Sequence, residues 1–137
     1  ILFGLDNKKY TDEQIISMIK KLSLEKLLKR LPDGLDGNLG EEGINLSGGE
    51  IQRIGICRAL IYNPEILVLD EATSSLDINT ESQILDELKS FQEKTIISIA
   101  HRLNSLKYSD IIYNISKGQL VDQGNFAKFK SVEYTDN

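Results

Sequence analysis

The run Ile66-Leu-Val-Leu-Asp70 constrains this chain more than any other stretch. Four consecutive apolar residues ending in an acid suit a strand buried on both faces rather than one with a wet side. A second run of the same kind, "TIISIA", occupies 95–100. Between them, Thr80 to Phe91 sets Ile84, Leu85, Leu88 and Phe91 on one side of a helix. Strand, helix and strand in that order make a βαβ-type unit, whose two strands run parallel.

The residues before this unit have a different period. Thr11-Asp-Glu-Gln14 is a capping box, and Ile15, Ile16, Ile19 and Leu22 follow at helical spacing. Ser23 is expected to open a second short helix carrying Leu24, Leu27, Leu28 and Leu31. Pro32-Asp-Gly34 is turn chemistry. Six glycines between Gly34 and Gly49 predict a loop. A third helix is expected from about Ser47 to Tyr62, ending before Pro64. After the βαβ unit, "DIIYNI" (110–115) and "QLVDQG" (119–124) read as two more buried strands, joined by "SKG" as a hairpin. The last stretch, "FKSVEYTDN", reads as a frayed tail. The expectation is an α/β chain: a helical part over 1–62, then a sheet-forming part over 63–137.

Composition narrows the function classes. At 137 residues the chain is about one small domain, with 40% hydrophobic and 27% charged residues. Its net charge of -5 provides no basic field for nucleic acid or anionic membrane. The apolar runs are too short to span a bilayer, and no signal peptide opens the chain. Cys57 is the sole cysteine, which fits a reducing cytosol and reads as a small buried residue. The opening "ILFG" lacks a methionine and suggests a piece of something longer.

Three places carry potential chemistry. Asp70 and Glu71 follow the first buried strand, and ligands of parallel α/β sheets bind at the carboxyl ends of strands. Asp70 is placed to hold Mg²⁺, directly or through water, and Glu71 to orient a water. His101, the one histidine, follows the second strand with Arg102 beside it. "LSGGE" (46–50) opens the third helix, where free N–H groups attract anions and glycines admit a close approach. Each glycine there costs the helix roughly 1 kcal/mol against alanine, a cost that a docked phosphate would offset. Taken singly, each place has a plainer reading: solvated acids at a strand end, a structural histidine, a flexible capped helix.

Their order and spacing together resemble the ATP-binding cassette (ABC) ATPase family, over nearly the whole chain. "LSGGE" (46–50) looks like that family's signature motif, "ILVLDE" (66–71) like its Walker B strand with the catalytic glutamate, "SSLD" (74–77) like its D-loop, and "AHR" (100–102) like its switch-histidine loop. The resemblance implies the C-terminal part of a P-loop NTPase domain, a helical subdomain followed by an incomplete, mostly parallel core sheet. It implies two cassettes packed head to tail around ATP. Leu46, Ser47, Gly48, Gly49 and Glu50 would belong to the phosphate-binding turn, which one cassette presents to ATP held by the other. Asp70 would support Mg²⁺, Glu71 would be the general base, His101 would contact the γ-phosphate, and Asp77 would contact the partner cassette. "GEEG" (40–43), "DEATSSLD", "AHRL" and the opening "ILFG" are similar to exporter cassettes. The implied protein couples ATP hydrolysis to export, with membrane-spanning domains on the same chain, at the cytoplasmic face of a membrane. Nucleic acid is not an expected partner.

Three features depart from the family's pattern. Glu50 stands where glutamine is usual, which puts a negative charge one turn from a phosphate site unless its carboxylate caps the helix. Glu42 replaces a common arginine in the exporter loop. No G-x-x-x-x-G-K-[ST] occurs, so the phosphate-cradling loop is missing, and the chain alone is expected not to hydrolyse ATP. The missing half would carry a strand lying between those at 95–100 and 110–115, so self-association or a rearranged sheet is expected. The alternative is a non-transport ABC ATPase of the DNA-repair or chromosome-organising type. Those carry "LSGGE" too, but flank it with long coiled coil and lack the "AHR" pattern. A pure interaction module would leave Asp70-Glu71 unexplained.

Overall fold

The computed structural model describes residues 10–37, 39, 44–91 and 93–131. Helix α1 spans Asp12–Lys21 and begins as expected. The Thr11 hydroxyl accepts from the Gln14 N–H at 3.3 Å, and the Gln14 side chain accepts from the Thr11 N–H at 3.0 Å. Ile15, Ile19 and Leu22 from this stretch are buried.

Helix α2 spans Glu25–Arg30, two residues later than Ser23 suggested. Ser23 does not cap it: its φ is +54°, left-handed. The Ser23 N–H donates to Lys20 O at 3.0 Å and the Leu24 N–H to Ile19 O at 2.9 Å. This is the Schellman closure of α1, which normally uses glycine at the left-handed position. Burial of Leu22 and Leu24 on either side of Ser23 favours it.

Pro32 and Asp33 turn the chain into a short 3₁₀ segment, Gly34–Asp36. "GEEG", with Glu42, and "ILFG" lie outside the described residues. Helix α3 spans Gly48–Ile61 with Ser47 as its cap, as the sequence predicts.

Strands β1 (Ile66–Asp70) and β2 (Thr95–Ile99) pair in parallel, in register from Ile66 opposite Thr95 to Asp70 opposite Ile99. Helix α4 (Ile78–Lys89) is the crossover between them. The expectation that these strands are buried on both faces needs correction. Leu67 and Leu69 point into the core, while Ile66 and Val68 are 60% and 59% exposed. Ile97 and Ile99 on β2 share the open face. Among the described residues one face of this pair is covered and the other is bare.

Strands β3 (Ile112–Ser116) and β4 (Gln119–Gly124) form the antiparallel hairpin. Lys117 and Gly118 make its turn with φ of +51° and +75°. Positive φ at both central residues is the type I′ geometry, whose twist matches the strands. This pair is also less buried than expected: Ile112 is inside, but Tyr113, Ile115, Leu120 and Val121 are exposed. The two strand pairs form separate sheets. One of these sheets is parallel and the other antiparallel, and among the described residues no strand fills the gap expected between β2 and β3. The expected tail is corrected in part. Helix α5 (Phe126–Lys130) is capped by Asn125 and buries Phe129, while residues 132–137 lie outside the described set.

A single apolar cluster runs from Ile15 and Leu24 through Ile56 and Leu60 to Leu67, Leu69, Ile84 and Leu88. It seats α1 and α3 beneath β1. Among the described residues no helix is long and apolar enough to cross a membrane.

Candidate functional site

Parallel pairing brings the carboxyl ends of β1 and β2 to the same edge, and the loops leaving the two strands meet there. The Glu71 N–H donates to Ile99 O at 3.0 Å, one step past the last strand residue. Glu71 then turns left-handed, at φ +47°. A residue with a Cβ pays about 1–2 kcal/mol for that conformation. The turn brings its carboxylate to His101, with Oε1 2.7 Å from Nε2. The contact suits the ring tautomer in which Nε2–H donates to the carboxylate oxygen. The side chains are 47% and 82% exposed, so the pair adds little to stability and remains open to solvent and ligands. Asp70 is exposed at the end of β1.

The start of α3 carries a complete capping box. The Glu50 N–H donates to Ser47 Oγ at 3.2 Å, and the Ser47 N–H donates to Glu50 Oε2 at 2.8 Å. The other oxygen of Glu50 receives Arg30 Nη1 at 2.7 Å. Arg30 also reaches Asn45 O at 2.9 Å. The Ser47 backbone N–H holds the Glu50 carboxyl below its usual range, helped by the Ser47 hydroxyl and by Arg30 and Arg53, and opposed by burial. Glu50 is thus a cap and an ion-pair partner, and its charge faces Arg30. The first bond along the helix is Ile51 N–H to Ser47 O at 3.0 Å. The Gly48 and Gly49 N–H groups precede it and have no acceptor within the helix. Leu46 is half-buried and packs against the core.

The paired glycines have a second use. A Cβ on Gly49 would sit 3.1 Å from Leu76 Cδ2 and 3.5 Å from Ser75 O, and one on Gly48 3.5 Å from Ser75 Cβ. The first turn of α3 is where the 74–77 segment docks. Asp77 closes that segment by capping α4: its Oδ1 accepts from the N–H groups of Asn79 at 3.1 Å and Thr80 at 3.0 Å. Hydrogen bonds, from Thr80 first, hold the Asp77 carboxyl below its usual range.

Sequence reasoning missed Gln52. Its Nε2 donates to Glu71 O at 3.3 Å and to Ser74 Oγ at 2.9 Å, and its Oε1 accepts from the Ser75 N–H at 3.0 Å. One side chain of α3 therefore holds the Glu71 carbonyl and the Ser74–Ser75 segment that follows it. The available signal was its place one turn after Gly48, on the face the glycines open. Glu81 was missed as well: it is a buried acid on α4 whose partners lie on both loops.

No cluster of three or more metal-ligating side chains exists among the described residues. Asp70 offers one carboxylate. Mg²⁺ suits such a place, since it commonly takes one or two protein carboxylates with waters and phosphate oxygens for the rest.

The family model described as ABC transporter matches residues 4–74. A Rickettsia typhi protein named as an export ATP-binding/permease protein is 44% identical over 126 residues, which are 91% of this chain and 22% of that protein. A multidrug resistance protein of Caenorhabditis elegans is 39% identical over 132 residues, 96% of this chain and 10% of the relative. A solved structure of a bacterial Atm1-family ABC exporter with ATP bound superposes with a TM-score of 0.81 at 38% identity, over 97% of this chain and 23% of that one. The chain thus spans less than a quarter of the length of each of these relatives.

Proposed function

The chain belongs to the ABC transporter family, and from that premise we propose that it is the C-terminal half of an exporter's ATP-binding cassette. Residues 1–62 supply the helical part with the signature turn, and 63–137 supply part of the ATPase core. The observation that carries this reading is the 2.7 Å contact between Glu71 and His101 at the ends of adjacent parallel strands, with Asp70 beside it. A carboxylate turned out at a strand edge can take a proton from water. Glu71 is the general base in this reading, and the attacking water loses its proton to that carboxylate. His101 contacts the γ-phosphate of ATP. Its Nε2 is engaged by Glu71, so the pair opens for the ring to reach a phosphate oxygen. Asp70 would hold Mg²⁺, which would supply charge neutralisation at the phosphates.

Ser47, Gly48 and Gly49 face the phosphate of ATP held by a second cassette. The free N–H groups at the start of α3 support this. Asp77 lies at the same interface. The exporter names of the relatives support membrane-spanning domains on the same polypeptide and a place at the cytoplasmic face of a membrane. Neither of these relatives carries a DNA-repair or chromosome-organising name.

The test joins this chain to the segment preceding the matched region in the Rickettsia typhi relative and measures phosphate release. The joined protein is expected to hydrolyse ATP with Mg²⁺, and the chain alone is expected not to. Turnover by the chain alone would overturn the half-cassette reading. ATP binding without turnover in the joined protein would overturn the role of the Glu71–His101 edge.

A further inference from the structure

Glu81 is a carboxylate with a side chain 6% exposed, and it lies outside every motif that the proposed function uses. A buried carboxylate is costly unless hydrogen bonds and an opposite charge compensate it. Its Oε1 accepts from Thr73 Oγ1 at 2.8 Å and Ser105 Oγ at 2.6 Å, and pairs with Arg102 Nη2 at 3.1 Å. Arg102 also donates to Thr73 O at 2.7 Å. These partners belong to two different loops. Thr73 lies two residues after Glu71. Arg102 follows His101 directly, and Ser105 sits in the short 3₁₀ segment Leu103–Leu106. One carboxylate on α4 therefore ties the loop carrying Glu71 to the loop carrying His101, behind the exposed side where those two meet.

We propose that Glu81 is a positioning residue that sets the separation of Glu71 and His101. The inference rests on the reading of that pair as the reacting edge. The exposed contact itself is too weak to hold two loops in register. The strand ladder fixes the backbone only as far as Glu71 N–H to Ile99 O. Beyond that point Gln52 holds the first loop to α3, and the link between the two loops is the cluster of buried Glu81, Thr73 and Ser105 with the partly exposed Arg102. A charged acceptor taking several bonds at once provides that rigidity.

His101 is the chain's one histidine, so its ring nitrogens give unambiguous ¹⁵N signals in the chain as it stands, with no nucleotide needed. Glu71→Ala supplies the reference shifts of the released ring. Glu81→Gln, which keeps the shape and removes the charge, is expected to move the His101 ring shifts toward that reference while circular dichroism stays that of the parent. Leu88→Ala loosens α4 from its other end and is expected to leave the ring shifts in place. Parental shifts in folded Glu81→Gln overturn the proposal, as does an equal displacement by Leu88→Ala. If Glu81→Gln does not fold, Thr73→Val removes one donor and leaves the carboxylate paired with Arg102. Displaced ring shifts there support the proposal, and unchanged shifts overturn it. A failure of the joined protein to hydrolyse ATP would overturn the reading of the site and leave this measurement able to decide the role of Glu81.

Discussion

Glu50 has two separate jobs at the start of α3. One oxygen satisfies the cap's own N–H and the other meets Arg30. Glu50→Ala removes both and is expected to cost about 1 kcal/mol, the size of a lost cap, read as a lower urea midpoint at pH 7. The pH dependence comes from the lowered carboxyl. A folded-state pKa below the ordinary 4.5 means that the ionised form stabilises the fold. That contribution is complete above the ordinary value and disappears as pH falls through the folded one. Parent and variant midpoints should therefore differ at pH 7 and converge in acid. The capping pairs Thr11 with Gln14 and Ser47 with Glu50 were legible because they act over three residues. Gln52 and Glu81 were not, because their partners lie 8 to 24 residues away and only the fold brings them near.

Helix α3 contains a built-in comparison. Gly49 lies under Leu76 and Ser75, whereas a Cβ on Gly55 would meet nothing within 4 Å. Gly55→Ala is expected to stabilise by about 0.5–1 kcal/mol, the helix-propensity gain. Gly49→Ala should lose that gain by pushing Leu76 away, and should lower turnover in the joined protein by shifting the segment that Gln52 holds. Equal stabilisation by both substitutions, measured by urea unfolding, would refute the docking role of Gly49. Ser23 is a misreading at the same scale. Serine is a favoured cap, but burial of Leu22 and Leu24 requires the chain to reverse there, and the hydrophobic pattern outweighed the local preference.

Taken whole, the molecule has two strand pairs with bare apolar faces. The order of the elements was legible, since continuous apolar runs and an amphipathic segment between them admit few arrangements. What covers the strands was not. The runs have the composition of strands enclosed on both sides, yet the described residues cover one side of β1 and β2. Val68 and Ile97 are register partners on the open side. Exposed apolar faces and unpaired strand edges favour association. The chain alone is expected to show concentration-dependent oligomers in sedimentation velocity. Val68→Lys combined with Ile97→Lys should shift it toward monomer. A parent that sediments as a monomer at all concentrations would count against this. In the proposed function the glycine turn at Ser47–Gly49 closes on a phosphate held by a second cassette, and Glu71 ends that state. Its most direct test is the joined protein carrying Glu71→Gln, run on a sizing column with and without ATP. A dimer that forms only with ATP is the expected result. A monomer in both conditions, with ATP binding demonstrated, would contradict it.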